Sequence, residues 1–362
     1  MHIIKFFTLI SFVSILLPAC IKQVDIDTRN ENPILVVEGS ITTDSVPYAV
    51  KLTYSGPYKS GLDIPEEFLE KNAHVIISDD QGNQTPLTYK ENGIYETTDT
   101  NYVGRVGRRY NIIIDLTGGK RYISAPEEIK PAVAIDSFKV KFVPDFNLVH
   151  PSYFQVSIDS KDPGNEENFY KWSFFSWIRR QTRGVPCGNL CIWAEYCFQR
   201  VTDKEVRILS DAPINGNEII DQVVGKSHIY TYGRHYIDIG QLSLSREAYQ
   251  FWKKYDEQVS RTGHILDPLP ASVKGNVFNA SDPADFALGY FSASSVTHKR
   301  AVLVPESITQ YLLEISAVSF IPPESVACFD RFPDTQSYPF FPAEQYPPPP
   351  GWENAEIVRI SW

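Results

Sequence analysis

The chain has 362 residues, a formal charge of −10 at pH 7 and 22% charged residues. That acidity argues against nucleic acid as a partner and against electrostatic adhesion to anionic lipid. Hydrophobic content of 43% is a globular value, and the aromatic load of 20 Tyr, 21 Phe and 6 Trp favours strands and can supply binding surfaces.

Met1 to Lys5 is short and basic, Phe6 to Leu17 is an apolar run, and Leu17-Pro18-Ala19-Cys20 follows. These are the parts of a secretory signal. The run is too short for a transmembrane helix, which needs about 20 apolar residues. Leu17, Ala19 and Cys20 at their positions around the cut resemble the bacterial lipobox. That resemblance implies a signal peptide over residues 1–19, cleavage before Cys20, and a diacylglycerol and a palmitate-type acyl chain on Cys20. Each buried methylene then adds about 0.8 kcal/mol to membrane anchoring. The other reading is a plain secretory peptide with an incidental cysteine. Cleavage leaves 362 − 19 = 343 residues, enough for two domains.

Residues 20–32 are polar and read as a lipidated tether. From residue 33 the pattern turns to strands: Ile34 to Thr42, Tyr48 to Ser55, Ala73 to Asp79, two short strands about Asn92-Gly93, Tyr110 to Leu116, and Arg121 to Ile129. Gly82-Asn83, Asn92-Gly93 and Gly118-Gly119 mark hairpin turns. Some seven short strands with no helical period between them predict an immunoglobulin-like β-sandwich over residues 33–130. Lys130-Pro131 reads as the boundary. Residues 131–320 predict a second β-sandwich-like domain. Its strands are Ile135 to Val143, Phe154 to Ser160, the aromatic Phe169 to Arg180, Glu205 to Asp211, His228 to Ser245, and Arg300 to Pro305. Ser245 opens the one helix, near residues 245–262, with Tyr249, Trp252, Tyr255 or Asp256, and Val259 at helical spacing and Gly263 as its stop. That helix is expected to pack on the second sheet. Residues 321–362 are Pro-rich and aromatic, either a tail draped over the domain or an arm that docks to a partner. The fold class is therefore mainly β.

Four cysteines remain after Cys20: Cys187, Cys191, Cys197 and Cys328. An even number in an exported chain reads as two disulfides, with three possible connectivities. Zinc is the rival reading, but the C-x3-C spacing is unusual for it and no His lies near the cluster. No nucleophile elbow, zinc-protease helix, Walker loop or dinucleotide motif occurs, so the chain reads as a non-enzyme with no metal and no cofactor beyond its lipid. The run from Asp159 through Asp162-Pro163-Gly164-Asn165 crowds oxygen ligands but departs from the calcium-loop pattern, and reads as a solvated turn. His228 and His235 sit seven apart on a strand pattern, at odd spacing and with a Gly between them, and single out no site. Trp193, Trp352 and Trp362 are the candidate ligand or partner contacts, because exposed rings suit sugar stacking or an interface; the bland reading places such rings in the core.

The stretch from Leu242 to Pro305 carries a family resemblance in its helix with Tyr249 and Trp252, Gly263, Asp267-Pro268, Gly275-Asn276-Val277, Leu288-Gly289-Tyr290-Phe291 and Ser294. Val37-Glu38-Gly39-Ser40-Ile41-Thr42 adds to it. The chain resembles the lipoprotein family called "domain of unknown function 4249". The resemblance implies an outer-membrane lipoprotein, lipid-anchored and facing the cell exterior, and a TonB-dependent outer-membrane receptor as partner in nutrient uptake. It transfers no catalytic residue. A structural or adhesion lipoprotein of the envelope, and a hydrolase with acids gathered from distant strands, are the rival readings.

Overall fold

The computed structural model describes residues 33–44, 46–56, 64–144, 152–164, 166–181, 185–186, 192–193, 196–203, 205–229, 234–261, 273–305, 337–338, 352 and 355–360. The N-terminal strands are β1 (Leu35–Thr42), β2 (Ala49–Tyr54), β3 (His74–Asp79), β4 (Gln84–Tyr89), β5 (Ile94–Thr97), β6 (Arg109–Asp115), β7 (Arg121–Ser124) and β8 (Glu127–Glu128). Then follow β9 (Ser137–Val143), β10 (Tyr153–Lys161), β11 (Phe169–Gln181), β12 (Val185–Pro186), β13 (Ile192–Trp193), β14 (Tyr196–Thr202), β15 (Arg207–Ser210), β16 (Glu218–His228) and β17 (His235–Leu244). After helix α1 (Arg246–Arg261) come β18 (Lys274–Asn279), β19 (Phe286–Pro305), β20 (Ser337–Tyr338) and β21 (Glu356–Ile360). The protein is mainly β with one α-helix among the described residues.

The first seven strands alternate buried and exposed positions, as in β6, where Tyr110, Ile112 and Ile114 point inward. The turns sit where Gly or Asn supplies positive φ, at Gly82 (84°), Asn92 (51°) and Gly93 (78°), and Gly119 (82°). These strands do not form an immunoglobulin-like sandwich. They run in the order β1-β2-β5-β4-β3-β6-β7, and β18 and β19 continue the series. β19 then pairs in parallel with β1, from Val36 opposite Leu288 to Thr42 opposite Ser294. The result is a closed nine-strand barrel. The correction has a topological cause: the strands that complete the ring begin 274 − 124 = 150 positions after β7 ends, and no local pattern announces such a pairing. Closure leaves the ring without an unpaired edge. Its interior is filled by Val37, Ile41, Val50, Leu52, Val75, Ile77, Ile112, Ile114 and Phe291, all fully buried.

Two glycines make the closure possible. Gly289 adopts φ +80°, and a Cβ there would lie 2.1 Å from the Val37 carbonyl oxygen of β1. A Cβ on Gly275 would lie 1.6 Å from the Gly289 carbonyl oxygen. At both positions it is backbone that would collide, so no side-chain rotation gives relief.

β19 is a 20-residue strand that belongs to both bodies of the molecule. Beyond the barrel it pairs with β17, from Ser243 opposite Ser295 to His235 opposite Leu303, and in parallel with β21. β17 pairs with β11, which lies between β17 on one side and β14 and β15 on the other. A separate sheet, β16-β10-β9, packs over this one. Phe154, Val156 and Ile158 of β10 meet Tyr170, Trp172 and Phe174 of β11 and Ile237 and Ile239 of β17 in the shared core. The linker at the boundary is tied down: the Lys130 carbonyl accepts from Ser295 Oγ at 2.5 Å, and the Val133 carbonyl from Thr297 Oγ1 at 2.7 Å.

Ser245 caps α1 as the sequence predicts, its Oγ accepting from the Ala248 N–H at 3.0 Å. The apolar face follows the expected one in its first half, where Tyr249 and Trp252 pack half-buried against the cluster, and departs from it beyond. Ala248 and Phe251 are buried against Phe169, Leu244 and Tyr290, whereas Tyr255 and Val259 are exposed. The helix sits at the seam between barrel and sandwich and is anchored by its first two turns. None of the helices among the described residues is long and apolar enough to cross a membrane.

Candidate functional site

The seam holds a cleft of about 550 Å³ between β8, the loop before β11 and the start of α1. Five glutamates line it, at 127, 128, 166, 167 and 247, against three cations, Arg109, Lys130 and Arg246. The cations are paired across it: Lys130 with Glu128 and Glu166, each at 3.7 Å, Arg109 with Glu128 at 3.6 Å, and Arg246 with Glu167. The acidic surplus remains.

Glu127 is the hub of the seam. It is 3% exposed and accepts from Ser245 Oγ at 2.5 Å, from the Tyr290 hydroxyl, and from Asn276 Nδ2 at 3.4 Å. Burial raises its pKa, and the Ser245 and Tyr290 hydrogen bonds offset only part of that rise. Burial and the neighbouring carboxyl push the Tyr290 phenol upward in turn. Asn276 also joins β18 to β19 by exchanging two hydrogen bonds with the Phe291 backbone, at 2.8 and 3.0 Å. Thus Glu127, on β8, binds the helix cap and both barrel-closing strands. Sequence reading passed over it. The available signal lay in its partners, since Asn276 and Tyr290 were already visible as family motifs. Ser245 has its hydroxyl engaged by Glu127 and the helix cap, so it is not poised as a nucleophile.

A second polar cluster joins the β1–β2 loop to the sandwich. His298 Nδ1 lies 2.6 Å from Asp238 Oδ1 and its Nε2 lies 2.8 Å from Asp44 Oδ2. Arg300 Nε donates to Asp238 Oδ2 at 2.6 Å. The Asp238 hydrogen bond, against the effect of burial, raises the imidazole pKa to about 9. Burial pushes the Asp238 carboxyl upward, but His298 and Arg300 outweigh it and hold that pKa below the usual range. The histidine is therefore a charged strut at neutral pH and not a general base. Elsewhere, burial lowers Lys171 to about 8, and its ammonium stands 3.5 Å from the centre of the Trp252 ring.

The sequence-derived candidates fall differently. Trp352 is buried at 5% exposure, with Phe175 and Tyr236 edge-on and its Nε1 3.4 Å from the Ile237 carbonyl. It is a core residue. Trp193 and Cys197 lie on β13 and β14, where the backbone is described and the side chains are not. Cys20, Cys187, Cys191, Cys328 and Trp362 lie outside the described residues, as do residues 339–351 of the tail. His228 and His235 fall on different strands; His235 is buried and shares a 2.7 Å hydrogen bond with Ser227 Oγ. Among the described residues no group of three or more His, Cys, Asp or Glu is placed to hold a metal ion. The turn is solvated at Pro163, Gly164 and Glu166, but Asp162 within it is buried at 1% exposure.

Fold and seam together define a two-body β protein in which one long strand is shared and a charged cleft opens at the junction. The chain belongs to the family described as "Domain of unknown function (DUF4249)", whose model matches residues 21–300. That match bears out the resemblance drawn from the glycine, asparagine and tyrosine motifs, and the structure places those motifs at the barrel closure and around Glu127. No curated protein matches the chain.

Proposed function

We propose that the protein is an outer-membrane surface lipoprotein, anchored through acylated Cys20. In this reading it serves, without catalysis of its own, as partner of a TonB-dependent receptor in nutrient uptake. The observation that carries the reading is the lipobox, Leu17-Pro18-Ala19-Cys20. β1 opens 35 − 20 = 15 positions after that cysteine, and a chain of that length spans at most about 50 Å. Lipid at its far end keeps the barrel beside any receptor in the same membrane and raises the effective concentration of the pair.

The cleft supports binding better than chemistry. Its cations are already matched by acids, its buried acid is held by three donors, and the histidine cluster is charged at neutral pH. The burial of Trp352 removes one of the rings on which an adhesive arm would rely. Affinity capture of the tagged chain from detergent-solubilised outer membrane tests the proposal. A receptor barrel is expected to co-purify with the parent chain and to be lost from Cys20→Ser. Recovery of the parent chain from the membrane with no receptor would refute the partnership, and an unacylated Cys20 would refute the anchor.

A further inference from the structure

The ion pairs inside the seam cleft leave two of its acids over. Lys130 stands between Glu128 and Glu166, 3.7 Å from each, Arg109 reaches Glu128 at 3.6 Å, and Arg246 is bound to Glu167. Arg246 is held a second time, because its guanidinium lies 5.1 Å from the centre of the Phe169 ring. Among the described residues neither Glu127 nor Glu247 pairs with a cation. Glu127 has three neutral donors. Glu247, exposed on the first turn of α1, has no donor among the described residues.

A second irregularity in the cleft is independent of its acids. Ser243 is 6% exposed, and its Oγ makes no hydrogen bond. Its backbone lies in the ladder between Tyr170 of β11 and Ser295 of β19, so what it presents to the cleft is the hydroxyl-bearing side chain. The cross-strand neighbour fixes the direction. Ser295 stands opposite Ser243 and so shares its face of the sheet. Its Oγ donates to the Lys130 carbonyl at 2.5 Å, and Lys130 is itself a cleft residue. Ser243 Oγ is therefore turned toward the segment that carries Glu127, Glu128 and Lys130. A buried hydroxyl without a partner is destabilising and calls for an explanation, which a ligand with a donor to offer supplies.

We infer that the cleft binds an ammonium group on an aliphatic stem, the chemistry of a lysine side chain or of a free diamine, with Ser243 and Glu247 among its acceptors. The inference rests on the binding role proposed above and names what is bound. An ammonium carries three N–H donors and no acceptor, which suits a cleft whose unused groups are a carboxylate and a hydroxyl. Its methylene stem has apolar surface to lie on, since Ala125, Pro126, Phe169 and Leu244 line the same space. An anion fits poorly. The three cations are already matched by acids, and a carboxylate or phosphate would meet five glutamates. A volume of about 550 Å³ is that of a small-molecule site.

The test is titration calorimetry on the mature, detergent-solubilised chain at low ionic strength, with no receptor present, so that its failure and that of the receptor partnership are told apart. The probes are cadaverine and a blocked lysine peptide, each with and without acetylation of its ammonium groups, and a blocked glutamate peptide. Saturable binding of at least one cationic probe is expected, and the tighter of the two identifies the source. Acetylation is expected to weaken it about tenfold or more. Glu247→Gln should weaken binding about threefold to fivefold, the effect of an exposed ion pair. Ser243→Ala should weaken it about tenfold while leaving stability in urea unchanged or higher, because that hydroxyl has no bond to lose. A serine with a purely structural role would not separate those two readouts. Should one variant fail to fold, the other reads the same cleft. Three results overturn the inference. The first is no saturable binding of either cation below about 10 mM, the weak limit for such sites. The second is acetylated or acidic probes that bind as tightly as the cations. The third is cation binding that neither variant weakens, which would place the ammonium elsewhere on the acidic surface.

Discussion

The barrel and the sandwich reach stability by different routes. The barrel closes on itself through backbone hydrogen bonds, and its largest fully buried side chains are mostly aliphatic: Ile41, Leu52, Ile77, Ile112 and Ile114. Among the described residues the sandwich has open sheet edges, and it buries a polar framework among its aromatics. Trp172 Nε1 donates to Gln241 Oε1 at 2.9 Å, and the Gln241 amide donates in turn to the Val133 carbonyl at 3.1 Å and to Ser160 Oγ at 3.3 Å. Asp162, Asp211 and Asp238 are buried there too. Ring closure already fixes register, and buried side-chain hydrogen bonds within the barrel run to backbone, as between the Ile112 N–H and Ser124 Oγ at 3.0 Å and between the Tyr95 hydroxyl and the Glu70 carbonyl at 3.1 Å. In the sandwich buried side chains bond one another, as Trp172 does Gln241 and Ser227 does His235.

If backbone closure is what holds the barrel, the largest effect comes from Gly275→Ala. The new Cβ meets the Gly289 backbone carbonyl, so loss of more than about 4 kcal/mol, or of folding, is expected in urea denaturation. The matched change in the sandwich is Gly225→Ala, whose Cβ would lie 2.0 Å from the Phe174 ring. A side chain can give way, at a cost of about 1–3 kcal/mol. The reverse order would undo the comparison. Next in size is Glu127→Ala at the seam. It strands the Ser245 and Tyr290 hydroxyls and loosens Asn276, and about 3 kcal/mol is expected. Because those partners join the two bodies, calorimetry should resolve the single transition into two. Gln241→Leu follows, at about 1–3 kcal/mol, since it leaves the Trp172 indole N–H buried without an acceptor.

Much of the barrel was legible strand by strand. The turns at Gly82, Asn92-Gly93 and Gly119 are local chemistry, and the period-two pattern of β6 needs no tertiary knowledge. What stayed hidden was which strand closes the ring, because parallel pairing of β1 with β19 depends on residues some 250 positions apart. β16 also escaped notice. Its register with β10 shifts twice and Asp221 takes φ +54°, so its alternation is broken. The stretch from Ser292 to Lys299 reads as small and polar, because β19 is fully buried there at Ala293, Ser294 and Ser295 without large apolar side chains. Glu127 and Asp211 were unremarkable acids in sequence. Their meaning comes from burial, which composition does not reveal.

The smallest effect sharpens the comparison by separating a charged strut from an apolar seal. His298 links Asp44, on the barrel side, to Asp238 in the sandwich. Its folded pKa stands near 9, above the ordinary value of 6.5. A group whose pKa is raised on folding adds stability that is fully present below the unfolded value and is lost as pH rises through the folded one. Stability from this cluster should therefore be complete below about pH 6.5, decline above it, and vanish past about pH 9. The side chain is partly open to solvent, so screening trims the contribution to about 1 kcal/mol. His298→Asn is expected to lower stability at pH 6 by that amount and to leave it unchanged at pH 10, in urea melts at matched ionic strength. An equal loss at both pH values would mean that the ring acts by packing alone, and that the junction is sealed there by shape and not by charge.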